Sequence, residues 1–482
     1  MFSIDETTGA TSDAHTTGVT AQVQRITVGP AVTRTPYDVS HLTASWLVDD
    51  TSDPSGRRRV MATVGAATDT WTAAIPEGEP PLEISLGLDY PDSFRRLYDF
   101  HHRDLKILYG VYEQPNAMPP PMNGVFHTTL TLPSALAAGE AFQLNSLGAW
   151  ANHGFAAGEL PAAGATTIGP VDIPYSAATW GSTSGRPLTA VTRQDLVVAL
   201  RYINSYELSG VAEFAAFDQS GGADTITATM TNNPRTPLDV KLDPPTIAAR
   251  LAKPVPAGVN FAMSWSAVAA PGYTIANATG PLLNAGNVLA TDSGMIVAPV
   301  GNPFGSHDWQ TLISMGSNKS RTFAIPQLGD KIVTLYAGIN DVALNAPGLV
   351  LDAPVPLPVL VSINDMSLST DGQSITLDPA KSVELAMNVD TGTPLFYQWN
   401  VYELKLDSTQ ATVETHIVYA ALATTPKVKL PNDVFVAGKV YQIRAHCISG
   451  GFPAFGEGDL WSRNTPYAIG YLDAGIFAVA PP

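Results

Sequence analysis

The sequence is poor in cysteine, in charge and in long apolar runs, and each shortage closes a class of answers. Cys447 is the only cysteine among 482 residues, so the chain can build neither an intramolecular disulfide framework nor a multi-cysteine zinc or iron–sulfur site. It sits in a strand-like apolar stretch and reads as a small hydrophobe rather than a reactive thiol. Charged residues make up 14%, against a usual ~25%, which speaks against coiled coils and long solvated helices. Basic residues are the scarcer sign: 26 Lys and Arg against 43 Asp and Glu leave a net charge of −17. Such a field repels phosphate backbones, and no nucleic-acid partner is expected. No run approaches the ~18 apolar residues of a membrane span, so no transmembrane segment is expected. The N-terminus also lacks the basic, apolar, small-residue order of a signal peptide.

Glycine and proline are plentiful. Gly 40 plus Pro 39 is 79 of 482, about a sixth of the chain. That is above the ordinary ~12% but short of the ~25–30% of a low-complexity chain. The 45% of hydrophobic residues can fill several cores. They recur with period two in short segments bounded by Gly, Pro, Asn and Asp: Arg58 to Val64, Leu82 to Leu88, Val125 to Leu132, Thr225 to Met230, Lys331 to Ala337, Val383 to Val389 and Val440 to Cys447. The pattern predicts an all-β protein of several tandem β-sandwich domains with little helix. Thr192 to Asn204 could be a helix, but Leu196, Val198, Leu200 and Tyr202 alternate, and a strand is expected. Short helical turns are expected within Tyr90 to Phe100 and Thr246 to Leu251.

Proline-rich punctuation at Pro115 to Gly124, Asn232 to Pro245 and Leu351 to Val359 separates stretches the size of one sandwich. The expected division is a disordered leader over 1–24, then sandwich domains over 25–118, 119–240, 241–360 and 361–482. Two echoes support modularity. A turn glycine feeds an alternating strand at Gly139, Gly258 and Gly438, and a tryptophan follows alternating apolar residues at Trp46, Trp265 and Trp399. An inward tryptophan lets a small sandwich fill its core without a disulfide.

Residues 366–482 carry a resemblance to known proteins. Val383, Leu385 and Met387 make an early inner strand, Tyr397, Trp399 and Val401 a second, and Gly438, Tyr441, Ile443 and Ala445 a turn, an aromatic and an alternating strand. Together they resemble a fibronectin type III-like or immunoglobulin-like β-sandwich of the bacterial form. The resemblance implies a spacer or binding module, and a fold alone does not give a function. The match departs from the family in the insertion between Glu403 and Thr424 and in the segment before the last strand. The leader, residues 3–24, is polar and Thr-rich and buries too little to offset its ordering entropy. In composition it resembles the tether of a mature bacterial lipoprotein, which implies export and a lipid anchor lost with the signal peptide.

Candidate chemistry is sparse. His101-His102-Arg103-Asp104 has metal-binding atoms, but adjacent strand residues point to opposite faces, and no HExxH accompanies them. Ser306-His307-Asp308 is consecutive, whereas a relay needs side chains from separate segments. Gly181-Ser182-Thr183-Ser184-Gly185 places its serines at the wrong offsets for a nucleophile elbow. No catalytic and no cofactor-binding residue is expected. Asp49, Asp50 and Asp53 offer hard oxygen ligands of the kind Ca²⁺ takes, but the spacing is not that of an EF-hand, and a solvated hairpin loop is the expected reading. Trp71, Trp150, Trp180, Trp309 and Trp461 lie near Gly, Pro or Ser, where a ring can stack on a sugar, but core and inter-domain packing is expected for most of them.

The leading expectation is a non-enzymatic, exported, extracellular or cell-surface protein, an outer-membrane lipoprotein being one form. Its role would be structural, adhesive or ligand-binding, with a protein or a carbohydrate as partner. A carbohydrate-active enzyme or its carbohydrate-binding accessory is the first alternative, and a subunit of a surface filament or layer the second.

Overall fold

The computed structural model describes most of residues 123–480. The segments 147–150, 183–187, 205–206, 256–259, 271–280, 305–308, 345–348, 351–354 and 452–465 are among those outside the description, and of residues 1–122 only the backbone of nine strands is described. Strands hold 61% of the described residues and helix 5%, so the all-β expectation is met. Thirteen strands and one helix frame the argument: β1 Gly124–Thr131, β2 Ala141–Ser146, β3 Thr167–Tyr175, β4 Val197–Ile203, β5 Glu207–Glu213, β6 Ala223–Thr229, α1 Pro244–Ala252, β7 Asn260–Ala270, β8 Gln310–Ile325, β9 Lys331–Leu344, β10 Phe396–Leu406, β11 Val413–Ala423, β12 Val440–Gly450 and β13 Tyr467–Ala480.

The first sandwich packs two sheets. One has the order β3-β1-β6, with β6 parallel to β1; the other carries β2, β4 and β5 as antiparallel neighbours. Between them lie Phe126, Leu130, Phe142, Ile173, Tyr175 and Trp180, all buried. The stretch 192–204 is a strand where it is described as regular, as expected. It is apolar on both faces. Val197 and Ala199 point into this first core, while Val198, Leu200 and Tyr202 point into a second, larger one. That second core runs from Leu196 to Val479, across the expected borders at 240 and 360.

The second core is built on a long antiparallel sheet of order β7-β8-β9-β13-β12-β10-β11. Odd-numbered residues of β7, β10 and β12 and of the first half of β8, such as Trp265, Met315, Trp399 and Ile443, face this core. Opposite the β13-β12-β10-β11 half lies a sheet in which Val383–Val389 pairs with Pro358–Ile363 on one side and Lys427–Leu430 on the other. Alternation in Val383–Val389 buries Val383, Leu385 and Met387 against Trp399 and Tyr397, which completes a two-layer sandwich.

The helical turn expected within Thr246 to Leu251 is α1. Asp243 caps it by accepting from the Thr246 amide at 3.2 Å, and Pro244 supplies a first-turn residue that needs no hydrogen-bond partner. Ile247 and Leu251, four residues apart, bury one face. Arg250, in the last turn, forks onto Asp390 at 2.8 and 3.0 Å, and Asp390 also accepts from the Leu357 amide at 3.1 Å. Of the segment Tyr90 to Phe100, where a turn is expected, Arg95–Asp99 is a strand parallel to β11, and the rest lies outside the described residues. Pairing with two neighbours supplies the ladder bonds that an isolated turn would lack.

Candidate functional site

The outer face of the long sheet, the one turned away from the large core, carries the most distinctive side-chain group of the described residues. On it Arg444 of β12 stands beside Asp473 of β13, His446 beside Tyr471, and Tyr471 beside Gly338 of β9. Midway along β9 the β8-β9 hairpin leaves the sheet and folds over this outer face. Ile325 and Leu335 from the hairpin pack there on Leu404, Val440 and Ile476. The tip turns through Pro326–Leu328, and Gly329 takes the left-handed conformation (φ 69°) that closes it. Arg321 braces the hairpin by forking onto Asp371 at 2.9 Å in both contacts.

Asp473 stands at the point of departure and holds both sides of it. Its carboxylate, fully buried, accepts Arg444 Nε at 2.6 Å, Arg444 Nη2 at 3.0 Å and the backbone amide of Tyr336 at 2.8 Å. Three donors on one carboxylate leave neither a buried charge unpaired nor a β9 amide unsatisfied where the ladder ends. The guanidinium carbon of Arg444 lies 5.8 Å from the ring centre of Tyr402 and 5.7 Å from that of Tyr471, so the cation is framed by two aromatic rings. Gly338 leaves the room that the Tyr471 ring occupies; a β-carbon there would meet the ring's hydroxyl end.

The ionisable groups of this corner are already committed. Burial opposes the charge on Arg444, but the hydrogen bonds and charge of Asp473 outweigh it and raise its pKa. Burial, with the neighbouring Arg444 charge, pushes His446 down to about 3 and keeps it neutral near pH 7. Tyr471 is raised, chiefly by burial. What remains open is a rim. Tyr336 is 36% exposed and the Arg444 side chain 33%. Arg444 Nη1 and the hydroxyls of Tyr336, Tyr402 and Tyr471 have no partner among the described residues. The arrangement offers donors, acceptors and ring faces, and no free general acid or base.

The residues singled out by sequence fall elsewhere. Asp49 ends the Leu42–Asp49 strand and its side chain lies outside the described residues, as do Asp50 and Asp53. His101 to Asp104, Ser306 to Asp308 and Thr183 to Gly185 are outside as well. Trp180 and Trp309 are core residues, buried against Phe126 and Phe304 respectively; Trp71, Trp150 and Trp461 lie outside the description. Among the described residues no group of three or more His, Cys, Asp or Glu side chains converges on a metal-sized centre. Cys447 is fully buried with its sulfur 3.7 Å from that of Met387, and burial, helped by Asp390, pushes its thiol up. Sequence reasoning missed Arg444 and Asp473. A lone charge of each sign inside two otherwise apolar strands, YQIRAHCIS and YAIGYLDAGIF, was the signal present.

A second buried carboxylate faces the large core. Asp341 of β9 stands between Met315 and Ala468 on the neighbouring strands and is 7% exposed. Burial raises its pKa from 3.8 to about 6, against the lowering effect of the Val342 amide. Because the folded-state pKa lies above the unfolded one, the group destabilises the fold above pH 6, and the cost fades as pH falls toward 4. At about 1.4 kcal/mol per pH unit the full cost is on the order of 3 kcal/mol. Asp341→Asn is therefore expected to gain stability over the wild type at pH 8 and to lose that advantage by pH 4, read by urea unfolding at both pH values.

No family model, no curated protein and no solved structure matches the chain.

Proposed function

We propose that the protein is a non-enzymatic, exported cell-surface protein whose β-sandwich modules present a recognition surface. The observation that carries this reading is the corner at Arg444. It gathers one exposed ring, Tyr336, two half-buried ones, Tyr402 and Tyr471, and a guanidinium edge, yet Asp473 is saturated by three donors and His446 is held neutral, which suits binding and leaves no group poised for proton transfer. The acidic, thiol-poor, Thr-rich composition supports an exported location.

The module over 361–482 is best read as fibronectin type III-like or immunoglobulin-like. Two features beyond the sheet count support that assignment. The sheet order β13-β12-β10-β11 faces the Pro358–Ile363, Val383–Val389 and Lys427–Leu430 strands, with Trp399 inward on β10. Near the start of β12 the Tyr441 hydroxyl accepts the Val436 amide at 2.9 Å, a tyrosine bond back to the upstream corner of the kind such sandwiches use.

The test is protease shaving of intact producing cells, followed by detection of the chain. Cleavage by protease added outside, at an intensity close to that seen after lysis, is the expected result. Full protection until the cells are broken would overturn the assignment to the surface.

A further inference from the structure

We propose that the corner between the β8-β9 hairpin and the outer sheet face binds an uncharged oligosaccharide. The inference rests on the recognition reading above and names the ligand class of the same site. Sugar rings present apolar C–H faces and hydroxyl edges, so they need ring surfaces and hydrogen-bonding groups side by side. Tyr336, Tyr471 and Tyr402 lie on β9, β13 and β10, with Arg444 between the last two. These strands and β12 are consecutive neighbours, and at about 4.8 Å per strand the row spans about 14 Å, the length of a short oligosaccharide rather than of one ring. Along it stand three tyrosine hydroxyls and Arg444 Nη1 without a partner among the described residues, enough to fix the orientation of a ligand.

Charge selects the class. The fork from Arg444 to Asp473 cancels the one cation of the row, so an acidic glycan finds no net positive charge there. A chain of net charge −17 adds long-range repulsion to any polyanion. Of glycans, the uncharged ones remain.

Tyr336 separates binding from folding. Its backbone amide holds Asp473, while its ring is 36% exposed and is not one of the buried core residues, so Tyr336→Ala keeps the structural bond and removes the stacking surface. The experiment is isothermal titration of the full chain with cellohexaose, maltohexaose and mannohexaose, and with hexagalacturonate as the charged counterpart. At least one uncharged hexaose is expected to bind. Tyr336→Ala should weaken it about tenfold with the melting temperature unchanged, and Tyr336→Trp should retain it. Binding of hexagalacturonate alone, binding equally tight in Tyr336→Ala, or no binding by any of the four would overturn the proposal. Protease shaving reports independently. A surface chain that binds none of the hexaoses sinks this inference alone, and a sugar-binding chain protected inside cells sinks the location alone.

Discussion

Glu140→Ala is expected to cost about 3–5 kcal/mol of stability, the range for removing one partner of a buried ion pair. The side chains of Arg201 and Glu140 are 4% and 9% exposed and meet in a fork of 3.0 and 2.7 Å. Arg201 also donates to the Ser134 carbonyl and hydroxyl and to the Ala135 carbonyl, and Glu140 accepts the Ala137 amide at 2.8 Å. Alanine would strand a guanidinium over the ring of Phe142 with only neutral acceptors left. The double substitution Glu140→Leu with Arg201→Met is expected to cost less than the single one, because no charge is then buried alone. Urea unfolding of the single and double variants measures both. A loss under about 1 kcal/mol for Glu140→Ala would mean that water reaches Arg201 in the folded state.

Trp399→Ala is expected to cost a similar amount, about 3–5 kcal/mol, for a different reason. Trp399 is fully buried in the large core beside Tyr397, their ring centres 6.2 Å apart. Its indole nitrogen has no hydrogen-bond partner among the described residues, so the loss is one of packing and cavity rather than of a broken polar contact. Trp399→Phe should recover a large part of it. Calorimetry or denaturant unfolding decides: a Trp399→Ala loss no greater than that of Trp399→Phe would show that the sandwich closes over the vacancy.

Much of the β architecture was legible because burial follows alternation. In Val383–Val389 the buried residues are Val383, Leu385 and Met387, as period two requires, and the turn expected within Thr246 to Leu251 is part of α1. Two members of the tryptophan echo were legible too, since Trp265 and Trp399 both point inward; the Trp46 side chain lies outside the described residues. Which strands pair was not. The stretch VVALRYI buries both of its faces, and alternation cannot say which residues go to which core when both sets are apolar. The candidate site was out of reach for the same reason. It depends on register between Tyr336, Tyr402, Arg444 and Asp473, and the bond from the Tyr336 amide to Asp473 closes a loop of 137 residues. Nothing local to any of the four residues encodes that closure.

The two-sided strand β4 has a consequence for how its alignment is chosen. In most sheets a slip of one residue turns apolar side chains to water, and polarity forbids it. Here a slip would only exchange Val197 and Ala199 for Val198 and Leu200, one greasy set for another. Discrimination between the two alignments falls to side-chain volume and to Arg201, the one position on the first-core side that must meet a carboxylate. The ion pair with Glu140 thus acts as an index mark, which tells two interleaved cores which residue belongs to which.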